Sequence, residues 1–249
     1  MLQAYGDGSL FGETFGEGPV RVVWLHGWGR RGQDFSQCAR ELASVGVASV
    51  ALDLPGFGSS PPPTTAGGAR YYANLVAPVL RALATGPLVI VGHSFGGRIA
   101  TVVAAKYPEL VQTLVLTGAP LLRRSEVGTS PLRYRVVRWL YRRHLVKEGA
   151  MEAARQRFGS RDYRTASGVL RDVLVATVNE SYEDELSRVS APVLMIWGAL
   201  DGDVPVEIAE RASQLLAVPH SLNILKDVGH LVPTEAPGDL AQLVRGVLT

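Results

Sequence analysis

Cysteine is almost absent: Cys38 is the one thiol in 249 residues. No intramolecular disulfide can form, and a lone thiol outside any metal-ligand spacing suits a reducing, cytoplasmic setting. Long apolar runs are missing as well. No stretch approaches the roughly 18 residues that span a bilayer, and MLQAYGDGSLFGETFGEG has neither the basic segment nor the apolar core of an export signal. Neither export nor membrane insertion is expected. Charged residues reach only 19% against 47% hydrophobic, with no run of five like charges and no internal repeat. This excludes a disordered chain, a charged tail and a solenoid. The net charge of +2 comes with no nucleic-acid-binding motif. No two histidines fall at a metal-ligand spacing, and neither G-x-G-x-x-G nor a phosphate-loop lysine occurs. No metal and no cofactor is expected.

Glycine and proline are plentiful, 27 and 15, and they punctuate a regular alternation. Short apolar runs at 20–25 (VRVVWL), 47–52 (VASVAL), 88–91 (LVIV), 111–117 (VQTLVLT), 193–197 (VLMIW) and 221–225 read as strands. Helical spacing at 33–45, 69–83, 96–106, 206–216 and from 238 onward separates them. Short, mostly apolar runs alternating with helices predict an α/β fold with a mostly parallel sheet wrapped by helices. The alternation stops at 121–188, an arginine-rich block with helical stretches and no strand. The chain therefore divides into a core, 1–120 with 189–249, and an inserted helical segment.

The sharpest chemical signal is Gly92-His93-Ser94-Phe95-Gly96, a G-x-S-x-G directly after a strand and directly before a helix. Small residues let the chain reverse tightly and lift the serine hydroxyl above the sheet edge, with the helix amides aimed at developing negative charge. A serine hydroxyl needs a base, and the base needs an orienting acid. His230, in the loop after the last strand, and Asp201, four residues after VLMIW, both fall at carboxyl ends of strands. Asp203 stands in the same turn. The amides of Trp28, in His26-Gly27-Trp28-Gly29, and of Phe95 are the expected oxyanion donors. His26 is read as ordering that loop, His93 as packing near the site, and Asp53 as fixing the PGFGSS turn.

HGWG, DLPGFGSS, GHSFGG, WGALDGDVP and GHLVPTEAP together resemble the α/β-hydrolase superfamily. The resemblance implies a catalytic triad of Ser94, Asp201 and His230, with Asp201 preferred over Asp203 because the family's acid stands four residues before a proline, here Pro205, and a helical cap between the sixth and seventh core strands, where 121–188 stands. It extends in part to short-chain carboxylesterases, among them the methyl esterase of biotin synthesis, which acts on a carrier-bound dicarboxylate. Haloalkane dehalogenases and epoxide hydrolases are similar too, but they place aspartate where Ser94 stands. The implied activity is hydrolysis of a small or medium acyl ester through an acyl-enzyme. The residues leave open an amide, a C–C bond or acyl transfer such as perhydrolysis, and also ligand binding without turnover.

Charge is unevenly spread. Residues 121–188 hold 14 Lys/Arg against 9 Asp/Glu, a local +5, and the remainder of the chain is at −3. Arg135, Arg138 and Arg142 share one face at helical spacing and are expected to border the entrance, attracting an anionic or carrier-linked ester. The expected partner is that small-molecule substrate, with no nucleic acid and no membrane span.

Overall fold

The computed structural model describes residues 2–123, 136–137, 139–141, 143, 145–158 and 161–248. Its centre is an eight-stranded sheet in the order β1-β2-β4-β3-β5-β6-β7-β8. The strands are β1 (Leu2–Tyr5), β2 (Leu10–Phe15), β3 (Val20–Leu25), β4 (Ala48–Asp53), β5 (Leu88–His93), β6 (Val111–Thr117), β7 (Val193–Gly198) and β8 (His220–Leu225). From β4 to β8 every pairing is parallel. Strands β4, β5 and β7 are buried along their whole length, which is why they read as mostly apolar runs and not as alternating ones.

Helices cover both faces. On one side α2 (Ala69–Leu83), α3 (Phe95–Lys106) and a helix at Val206–Ser213 close a core built around Leu25, Ile90, Leu114 and Trp197. On the other, α1 (Ser36–Ala43) and the last helix, Pro237–Gly246, pack on Trp24, Val91 and Ile196. After β3 the chain moves outward to β4 and then returns to place β5 on the other side of β3. Ligand crevices open at such a reversal, beyond the carboxyl ends of the strands. Here those ends carry HGWG and the serine turn.

The sequence reading found no strand before residue 20, and the structure corrects this with an antiparallel hairpin, β1 and β2, paired to β4. The signal was weak because β1 is an exposed edge strand, and because Gly12, whose Cβ would stand 2.9 Å from the Ala51 carbonyl oxygen, interrupts the pattern of β2. The two extra strands make 111–117 the sixth strand and 193–198 the seventh. The predicted helix at 33–45 starts as a 3-10 turn, Gly32–Phe35, before α1. The closing helix is preceded by a separate short one, Val232–Glu235.

Between β6 and β7 the described residues contain helices and no strand: α4 (Glu148–Phe158), α5 (Arg161–Thr165), α6 (Gly168–Asn179) and α7 (Glu183–Arg188). The far end of this block is built into the core, where Tyr182 and Leu186 are fully buried. Glu180 accepts the Ala69 N–H at 2.7 Å, Arg70 holds Glu185 through two bonds of 2.7 and 2.9 Å, and Arg98 donates to the carbonyls of Pro120 and Thr177. Arg98 thus ties the start of the insertion to its end. Among the described residues no helix is long and apolar enough to cross a membrane.

Candidate active site

Ser94 sits between β5 and α3 with φ 51° and ψ −111°. A non-glycine residue in this region is strained by about 1–3 kcal/mol, a cost met by the packing around it. The turn is that tight because the Ser94 N–H donates to the Thr117 carbonyl at 2.8 Å and the Gly96 N–H to His26 at 3.0 Å. A Cβ at Gly96 would lie 2.1 Å from the Leu25 carbonyl oxygen, so helix α3 can start against β3 only with glycine there. The result is a half-buried serine at the rim of the sheet.

Next to it, His230 Nδ1 lies 2.8 Å from Asp201 Oδ2. The Asp201 side chain is fully buried, and its other oxygen accepts the Asp203 and Val204 amides at 3.0 and 2.7 Å. Of the two acids in the WGALDGDVP turn it is Asp201 that reaches the histidine, whereas Asp203 contributes a main-chain N–H. With Nδ1 donating to a carboxylate, a neutral His230 presents a bare Nε2, the form able to take a proton. The Ser94 hydroxyl makes no hydrogen bond to His230 in this arrangement; such contacts often tighten only when substrate is bound.

Two further positions make the approach possible. Gly118, at φ +52°, leaves room for the His230 ring, from which a Cβ would be 2.9 Å away. The His93 and His230 rings lie 4.9 Å apart, centre to centre, and His93 Nδ1 is held by the Thr117 hydroxyl at 3.0 Å. Gly118 escaped the sequence reading. Its one signal was its place directly after a buried strand.

The HGWG segment is fixed by its histidine. His26 Nδ1 donates to the Gly27 carbonyl at 2.7 Å, and its Nε2 accepts the Leu54 N–H at 2.9 Å. Asp53 accepts the Gly32 and Ser59 amides at 2.8 Å each, so it secures the PGFGSS turn and also the loop after HGWG. Gly27 stands against the serine turn, a Cβ there being 3.3 Å from that of Ser94. Among the described residues neither the Trp28 amide nor the Phe95 amide has a hydrogen-bond partner. The half-buried Trp28 ring packs edge-on against Phe57 and Phe95, at 5.0 and 5.4 Å, making an aromatic wall. Leu170 of α6 touches the same region, 2.4 Å from where a Cβ on Gly56 would be. Arg135, Arg138 and Arg142 lie outside the described residues.

Burial keeps two imidazoles neutral. His26 is pushed down to about 4 by desolvation, and His93 to about 3 by desolvation and the neighbouring His230. In the unfolded chain both take up protons near 6.5, so their contribution to stability is complete above that pH and is lost as the pH falls toward 4. At pH 5 the two together are expected to withdraw about 4 kcal/mol. Urea unfolding at pH 7 and pH 5 measures the loss. Equal stability at the two values would mean that these rings are not held neutral.

A family model described as alpha/beta hydrolase fold matches residues 20–133. The chain is 30% identical over 226 residues to the pimeloyl-[acyl-carrier protein] methyl ester esterase of Chromobacterium violaceum, covering 80% of this chain and 82% of that one. It is also 30% identical over 269 residues to the esterase Rv0045c of Mycobacterium tuberculosis, covering 97% and 87%. The fold is similar to that of a thermophilic esterase from Thermogutta terrifontis, with a TM-score of 0.71 at 23% identity, covering 96% of this chain and 94% of that one. From its sheet order, its serine turn and these relatives, the chain belongs to the α/β-hydrolase family, among its esterase-type members.

Proposed function

We propose that this protein is a serine carboxylesterase working through a triad of Ser94, His230 and Asp201. The observation that carries the reading is the buried Asp201 bonded to His230 at 2.8 Å beside a strained serine turn. Ser94 Oγ attacks the ester carbonyl while its proton passes to His230 Nε2, and Asp201 stabilises the resulting imidazolium. Negative charge on the carbonyl oxygen is received by the Trp28 and Phe95 amides, which have no hydrogen-bond partner among the described residues. His230 returns the proton to the departing alkoxide, leaving an acyl-enzyme. Water then attacks by the same route in reverse and frees Ser94.

Residues 121–188 form the cap of this reading and the two flanking segments its core. Support comes from the insertion's place after β6 and from Leu170 meeting the PGFG turn. The aromatic wall of Trp28, Phe57 and Phe95 suits a small or medium acyl group. The local excess of Lys/Arg in the insertion favours an anionic or carrier-linked ester, as does the likeness to a methyl ester esterase of an acyl-carrier substrate.

A fluorophosphonate probe with peptide mapping tests the nucleophile, and short p-nitrophenyl esters test turnover. One adduct per chain, on Ser94, with ester hydrolysis lost in step, is the expected result. Labelling without turnover on a panel of ester, amide and diketone substrates would point to a binding protein. Absence of labelling would overturn the reading.

A further inference from the structure

Within GHLVPTEAP one ionisable side chain besides His230 has no part in the proposed chemistry. Glu235 ends the short helix Val232–Glu235 and turns back over the histidine loop. Its Oε2 accepts the Gly229 N–H at 2.5 Å and its Oε1 accepts the Leu231 N–H at 3.1 Å. These two amides flank His230. On its other side the loop is fixed by the end of β7: the Leu200 N–H donates to the Val228 carbonyl at 2.9 Å, and a Cβ on Gly198 would stand 2.1 Å from the Gly229 carbonyl oxygen. The loop is therefore clamped between the strand that leads to Asp201 and one carboxylate.

We propose that Glu235 is a positioning residue for His230, fixing through the two flanking amides the backbone from which the imidazole reaches between Asp201 and Ser94. The proposal rests on the reading of His230 as the base. The residues before and after His230 set the direction of its Cα–Cβ bond, so freeing their amides lets the ring swing away from Asp201. A displacement of about 1 Å at a catalytic group can cost on the order of a hundredfold in rate. Two oxygens are needed because there are two donors. Glutamine supplies one oxygen and sets an NH2 against the other amide, so it keeps one bond of the two. Glu235 is exposed, and water can satisfy both N–H groups in its absence. Its loss therefore loosens the loop without emptying a buried site.

The test is steady-state hydrolysis of a p-nitrophenyl ester by the wild type, Glu235→Ala, Glu235→Gln, His230→Ala and the Glu235→Ala/His230→Ala double variant, with urea midpoints recorded for each. Expected is a fall in kcat of about 10- to 100-fold for Glu235→Ala with KM within about twofold. Glu235→Gln should lie between it and the wild type, and it decides the matter if the alanine variant does not fold. In the His230→Ala background the second change should cost nothing further, because Glu235 acts only through that histidine. Wild-type kcat in Glu235→Ala, or an equal loss in both backgrounds, would overturn the proposal while leaving His230 as base. Wild-type turnover in His230→Ala would instead remove the base assignment itself.

Discussion

Ser94→Ala is expected to abolish ester turnover, by several orders of magnitude in kcat, in a protein that folds as before. Removing a triad nucleophile leaves only the catalysis supplied by binding and by the oxyanion donors, about 10³–10⁴ over water in serine proteases. The fold should not notice. Among the described residues the hydroxyl has no hydrogen-bond partner, so its loss strands none of them, and alanine has the same Cβ as serine at φ 51° and bears the same backbone strain. Urea unfolding should agree with the wild type within about 0.5 kcal/mol. Turnover of the purified variant near the wild-type rate would show that another group is the nucleophile.

The second large effect separates two acids two residues apart. Asp201→Asn keeps an oxygen for the Asp203 and Val204 amides, which Asp201 Oδ1 now accepts. Toward His230 it turns an NH2, a donor facing Nδ1. The imidazole must then carry its proton on Nε2, where Ser94 needs a bare nitrogen. This loss of the correct tautomer can reach about ten-thousandfold. Asp203→Asn retains the main-chain N–H that Asp203 lends to Asp201 and should change kcat by no more than a few-fold. Comparing kcat/KM of the two variants on one short ester decides between them. A larger loss in Asp203→Asn would exchange their roles.

Local rules made much of this molecule legible from its residues. Strands buried on both faces favour apolar side chains on both, so β4, β5 and β7 announced themselves as mostly apolar runs without polar alternation. A serine turn between strand and helix demands small neighbours, so Gly92, Gly96 and Gly97 marked Ser94. The family resemblance, which sets the acid four residues before Pro205, singled out one acid of two, and the structure joins that one to His230. The hairpin of β1 and β2 was hidden because an exposed edge strand needs no distinctive side chains, and what holds it lies in β4, far along the chain.

Sequence by itself thus determined the fold class and the serine turn, because each rests on sterics or hydrogen bonding within a few neighbouring residues; it offered Asp201 and His230 as candidates, and the structure joins them. Tertiary structure alone decided what meets across the sheet edge. Gly118 makes room for the His230 ring, Gly198 admits the histidine loop, Arg98 joins the two ends of the insertion, and Glu235 reaches back to the amides beside His230. For three of these the partners are separated by tens of residues or more, and Glu235 turns back only because a short helix follows the loop. Nothing in the local pattern records such contacts, since packing brings the groups together only after the strands have been ordered.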